Sequence, residues 1–321
     1  MLPYQPVIWL SAITYKMPQI VQIPVRTHEN FGDSISKLIK TLSEISLIRE
    51  EEIVLDFTQS KILNPFFLCG LACVIQSLEN SGKRFTLNHD KNLSINSYLN
   101  TIFFPGTFSS FDGNHTLNIP EKYSTKTYIP IISFKTGFSD SSTLTRENIL
   151  SSISQLLKNQ LKFSEKERQP LSYFLDELTN NINDHSDAGK GFVFAQFYPN
   201  SNYLDLCICD AGKGIYQSFL DNPKFNPVNE IQAIQLALSG NSTKDRPEAR
   251  GFGISTTRNM LVNGLKGKLF LWSGNTTFLQ AVNKEVIVNI GENGYFQGTF
   301  VALRLPTIIP GEFNFYSFVE Y

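Results

Sequence analysis

Between residues 18 and 103 the hydrophobic pattern switches regularly between two periods, and this alternation limits the possible folds more than any other feature. The strand-like "QIVQIPV" is followed by "ENFGDSISKLIKTLSEISLI", whose apolar residues recur at helical spacing. Next come "EEIVLDFTQ", an apolar run between polar ends, and "NPFFLCGLACVIQSLENSG", with Asn64 as helix cap, Pro65 in the first turn and Gly82 just past the end. Strand-like "KRFTLNH" and the short helical "SINSYLNTIFF" close the series. A βαβαβα order predicts a sheet covered by helices.

The texture then changes. Residues 106–144 are rich in Gly, Ser, Thr and Asp and read as a connection holding one strand-like stretch, "TYIPIISF". From Thr145 two helical stretches, "TRENILSSISQLLKNQL" and "ERQPLSYFLDELTNNINDHS", precede strands "KGFVFAQFYP" and "YLDLCICD". A long polar segment follows, then a glycine turn opening a helix, and finally "GKLFLWSG", "TTFLQAV", "KEVIVNI" and "GTFVALRLP". Helices laid against mostly antiparallel strands predict an α+β sandwich with helices on one face. The 321 residues suffice for two domains, each with its own core. The fold class is therefore α/β with two domains, at 1–125 and 145–306, a connecting segment at 126–144 and an aromatic tail at 307–321. That tail, "TIIPGEFNFYSFVEY", is suited to dock on the body or on a partner.

With 28 Lys+Arg against 29 Asp+Glu the formal net charge is −1, so no bulk field draws the chain to nucleic acid or anionic lipid. No stretch approaches the roughly 18 apolar residues that a membrane span needs, and the chain reads as cytoplasmic, with no membrane contact. The cysteines fall as Cys69/Cys73 and Cys207/Cys209, helical and strand-like spacings rather than zinc knuckles, which marks them as small buried hydrophobes.

Four short stretches could carry chemistry. In "DELTNNINDH" Glu177, Asn181 and His185 stand four apart, one stripe beside the apolar face of Leu171, Phe174, Leu175, Leu178 and Ile182. That stripe is either a polar helix flank or a site, and spacing alone does not decide. The strand "LDLCIC" ends in "DAGKGI", an acid followed by Gly212 and Gly214, a turn that could admit a flat ring near Asp210. "ARGFGI" places Gly251 and Gly253 directly before a helical segment, whose free amides favour an anion. Thr299 opens the last strand.

Taken in order, "E-x3-N-x3-H", "DxGxG", "RGxGI" and "GT-x-strand" resemble the GHKL (Bergerat) ATP-binding fold over about residues 145–306. The likeness is greatest to the anti-sigma-factor serine kinases, whose first box has the same spacing. The resemblance implies ATP and magnesium as ligands. It implies that Asp210 accepts the adenine amine, that Thr299 supports this contact through water, and that Asn181 holds magnesium. Gly212 and Gly214 would pass beneath the base, while Gly251 and Gly253 would hold the phosphates; His185 completes the first box. Glu177 falls where the family keeps its general base. The segment "QSFLDNPKFNPVNEIQAIQLALSGNSTKDRPEA" would be the ATP lid, and Lys244 and Arg250 are the cations near enough in sequence to reach a γ-phosphate, Lys244 being equally a solvated loop residue.

Residues 18–105 resemble the STAS domain of anti-sigma-factor antagonists, carried by "IVLDFTQSKILNP", the helix after it and "NSGKRFTLNH". Regulatory members open the central helix with a phosphorylated serine or threonine. Here "LNPFF" offers no hydroxyl at Asn64 or Pro65, so the domain would be structural or partner-binding. Together the resemblances imply a bacterial regulatory protein, a serine/threonine kinase or slow ATPase acting on a protein partner, with homodimerisation left open. The alternative is a non-catalytic switch in which ATP orders the lid and so recruits or releases a partner.

Overall fold

The computed structural model describes residues 17–27, 30–107, 123, 125–136, 164–241, 253–292 and 294–319. Among them the chain is mixed α/β with two sheets. β1 (Gln19–Gln22), β2 (Glu52–Asp56) and β3 (Arg84–Asn88) pair in that order, all parallel. Between them run α1 (Phe31–Leu47) and α2 (Pro65–Asn80), with α3 (Leu93–Thr101) after β3.

Local chemistry sets these boundaries. α1 buries Phe31, Ile35, Leu38, Leu42 and Ile45, a stripe at three- and four-residue spacing. The Asn64 side-chain oxygen accepts the Phe67 N–H at 3.1 Å, and Pro65, which lacks an N–H, loses nothing in the first turn. Asn92 caps α3 through Ile95, and its Nδ2 donates to the Phe57 and Ser60 carbonyls, tying α3 to the end of β2.

The second sheet has the order β4-β5-β6-β10-β7-β8-β9 and is antiparallel throughout. Its strands are β4 (Ile132–Lys135), β5 (Lys190–Tyr198), β6 (Tyr203–Asp210), β7 (Lys268–Gly274), β8 (Thr276–Ala281), β9 (Lys284–Asn289) and β10 (Phe296–Pro306). β4 lies inside the segment read as a connection and forms one edge. On β6 and β10, Asp210 faces Thr299, Cys209 faces Phe300 and Asp205 faces Arg304. Successive strand residues point to opposite faces. One face therefore carries Cys207, Cys209, Phe300, Ala302 and Arg304, and the other Leu206, Ile208, Asp210, Thr299 and Val301.

α4 (Glu165–His185), α5 (Gly214–Leu220), α6 (Glu230–Leu238) and α7 (Gly253–Asn259) cover the second face. The first face is covered by α2 from the N-terminal half, so this sheet carries helices on both sides. α2 is buried continuously from Pro65 to Cys73, as a helix apolar all round must be. A Cβ added to Gly70 would stand 2.9 Å from both Leu38 of α1 and Phe300 of β10, so only glycine lets α2 lie between them. The expected pair of separate cores is instead one connected apolar cluster. At its edge Arg304 makes a two-pronged bond to Asp205, both contacts 2.7 Å, with its guanidinium 3.8 Å above the Tyr203 ring and 5.6 Å from that of Phe31.

The aromatic tail docks on the body. Phe313 and Phe318 stack at 5.8 Å over Gly264, and Phe315 meets the edge of Tyr173 on α4, just before α8 (Tyr316–Val319). Among the described residues no helix is long and apolar enough to cross a membrane. The first of the two predicted helical stretches, at 145–161, lies outside the described residues.

Candidate functional site

α4 turns Leu171, Phe174, Leu175, Leu178 and Ile182 into the core and leaves Glu177 and Asn181 half-buried on its flank. α7 begins against that flank. A Cβ on Gly253 would stand 3.3 Å from Glu177 Oε2 and 3.5 and 3.6 Å from Asn181 Nδ2 and Oδ1, and Gly253 has a φ of +23°. The carboxylate, the amide and the glycine turn are thus brought together, with backbone lying where a side chain would intrude.

Asp210 ends β6 and is 1% exposed. Its Oδ1 accepts the Gly212 N–H at 2.8 Å, while Oδ2 is buried without a hydrogen-bond partner among the described residues. Burial pushes the carboxyl up to about 7, against the pull of the Gly212 and Thr299 amides. A buried acceptor without a donor costs about 1–3 kcal/mol, a cost that an N–H from a ligand would remove.

The turn after Asp210 is held from several sides. A Cβ on Gly212 would overlap the carbonyl oxygen of Ser186, which also accepts the Lys213 N–H at 2.8 Å. Gly298, at φ +95°, leaves no room for a Cβ beside the Asp210 carbonyl. Ser273 Oγ donates to the Gly298 carbonyl at 2.8 Å and accepts the Ile215 N–H at 2.9 Å, and a Cβ on Gly214 would meet it at 2.8 Å. Gln297 Nε2 donates to the Gly212 carbonyl at 2.7 Å. Lys213 reaches back to Asp187 and Asp221 at 3.0 and 2.9 Å.

Both clusters hang on α4. Ser186, against the Asp210 turn, follows Glu177 by nine residues, roughly 13 Å along a helix axis. Acceptor and carboxylate thus lie at opposite ends of one helical segment, an arrangement suited to an elongated ligand with an N–H donor at one end and a reacting group at the other.

Of the predicted site residues, Glu177, Asn181 and Gly253 converge, as do Asp210, Gly212, Gly214 and Thr299. Lys244, Arg250, Gly251 and the side chain of His185 lie outside the described residues. Sequence reasoning missed Gly298, Ser273 and Gln297. The glycine directly before Thr299 was the available signal for the first, whereas the other two have no motif of their own. The segment read as a lid includes α6, anchored by Ala233, Ile234 and Leu238 and by Glu230, whose Oε2 accepts from the Asn275 N–H and Thr276 Oγ1 at 2.8 and 3.0 Å. No family model matches the chain, and no curated protein matches it.

Proposed function

We propose that the chain is a magnesium-ATP-binding regulatory protein of the GHKL kind, with an N-terminal STAS-like unit, acting as a serine/threonine kinase or slow ATPase on a protein partner in the cytoplasm. The observation that carries this reading is the buried Oδ2 of Asp210, which has no hydrogen-bond partner among the described residues. The order of elements and the approach of Gly253 to Glu177 and Asn181 agree with it.

The residues present fit the ligand. Asp210 Oδ2 would accept the exocyclic N–H of adenine, while Gly212 and Gly214 keep the turn after it packed against Ser186 and Ser273. Asn181 would offer an oxygen to magnesium, and the backbone at Gly253, beside Glu177 and Asn181, would hold phosphate. When bound, magnesium-ATP would supply the transferable terminal phosphoryl group. Glu177, one turn from Asn181, would take the proton of an attacking hydroxyl or water on a carboxylate oxygen.

Calorimetric titration with magnesium-ATP tests the reading, with Asp210→Asn as the control. Binding weakened by roughly 1.5–3 kcal/mol in the variant is expected from loss of a charge-assisted bond. Absence of binding by the wild-type chain would overturn it.

A further inference from the structure

The cysteines, which spacing marks as ordinary buried hydrophobes, are all buried, but they are not scattered through the core. Cys69 and Cys73 lie one turn apart on α2, and Cys207 and Cys209 occupy alternate positions on one face of β6. Cys69, Cys207 and Cys209 meet where α2 crosses β6. Their Sγ atoms lie within 4.8 Å of one another, and that of Cys69 is 3.7 Å from that of Cys209.

These spacings are too long for a covalent bond and short enough for the sulphurs to share one ion. A disulfide needs sulphurs about 2.05 Å apart. A tetrahedral zinc thiolate, with Zn–S near 2.3 Å, sets its sulphurs about 3.8 Å apart. We propose that Cys69, Cys207 and Cys209 bind a thiophilic d10 cation, zinc(II) or copper(I), that ties α2 to β6. Soft sulphur donors converging from two separate elements select for such ions. The site is closed to solvent, so its role is structural, and it stands apart from the proposed nucleotide site because Cys209 and Asp210 point to opposite faces of β6.

Binding releases one proton to solvent from each thiol that ligates.

The test is elemental analysis of the purified full-length chain, grown with zinc and copper in the medium. About one zinc or copper per chain is expected, falling below about a tenth in Cys69→Ser/Cys209→Ser. Because that variant could fail to fold, the reduced, metal-stripped wild-type chain is also titrated with cobalt(II). A sulphur-to-metal charge-transfer band saturating near one equivalent is expected. Less than about a tenth of a metal per chain, four reactive thiols in denaturant and no such band would overturn the proposal. So would a pair of unreactive sulphurs with the mass deficit of two hydrogens, which is the signature of a disulfide.

Discussion

Thr299 stands directly opposite Asp210 across β10 and β6, and its backbone N–H is one of two amides that pull the Asp210 carboxyl down while burial drives it up. Burial wins, and the group settles at about 7 rather than at the ordinary 3.8. The folded chain thus takes up a proton that the unfolded chain has shed. Asp210 costs stability progressively as pH rises from about 4 to 7, and the cost is constant above that.

Asp210→Asn should therefore stabilise the ligand-free protein at pH 8, on the order of 2 kcal/mol, and by less at pH 5, where only part of the cost has accrued. Denaturant melts at the two pH values are the measurement. For the same reason adenosine, which has no group of its own titrating there, should bind the wild-type chain about tenfold more weakly at pH 6 than at pH 8. An affinity flat across that range would remove the Asp210 carboxylate from the contact.

Glu177 and Asn181 separate catalysis from mere binding. Glu177→Ala should leave nucleotide affinity nearly intact and cut phosphoryl transfer by roughly 10²–10⁴-fold. Asn181→Ala should weaken magnesium-dependent binding and turnover together. Phosphate release and radiolabel transfer, with and without lysate as a source of partner, provide the readout. Tight binding with no turnover in any variant would favour the ATP-gated switch over the enzyme.

The glycines around Asp210 differ sharply from a glycine in open space. Gly298→Ala places a Cβ against the Asp210 carbonyl at positive φ, and Gly212→Ala drives one into the Ser186 carbonyl; each should cost more than about 3 kcal/mol. Gly82, also at positive φ but with nothing within 4 Å, should cost only about 1–2 kcal/mol on the same change. Urea midpoints for the three variants would expose any equality between them.

Breaking the buried Asp205–Arg304 pair should be costly. Arg304→Met leaves a carboxylate in the core and should lose about 3–5 kcal/mol, while Asp205→Leu/Arg304→Met together should recover most of that. A double-mutant cycle by chemical denaturation checks both statements.

Ser60 is 1% exposed, and its Oγ donates to the Pro24 carbonyl at 3.1 Å. The Asn64 amide that follows is occupied in capping α2 and in bonding Ser34 Oγ at 2.7 Å. Incubation with ATP should leave residues 60–70 unmodified. A phosphopeptide from this stretch in a mass spectrum would contradict the structural role given to the α2 cap.

The helices and strands of the described residues were legible because each has a local cause: the stripe of α1, the Asn64 cap, the acid–glycine turn after β6. The approach of Gly253 to Glu177 joins two stretches that the sequence marks separately. What sequence did not reveal was which layer covers which face. β6 reads "YLDLCICD", apolar towards both sides, and such a run says that two partners exist without naming them. The meeting of Cys69 with Cys209, 140 residues apart, is a product of that unseen packing. The clamp of Ser273 on Gly298 depends on register between β7 and β10, which no local pattern encodes.

Gly70 makes the two halves of the chain poor candidates for modular exchange. With Leu38 on one side and Phe300 on the other, it sits at a seam with no slack, and α2 serves as wall to one sheet and floor to the other. Separating the halves would leave Cys207, Cys209, Phe300 and Ala302 open to water on one and strip α2 of a neighbour on the other. A larger side chain on one side of the seam would therefore need a smaller one on the other.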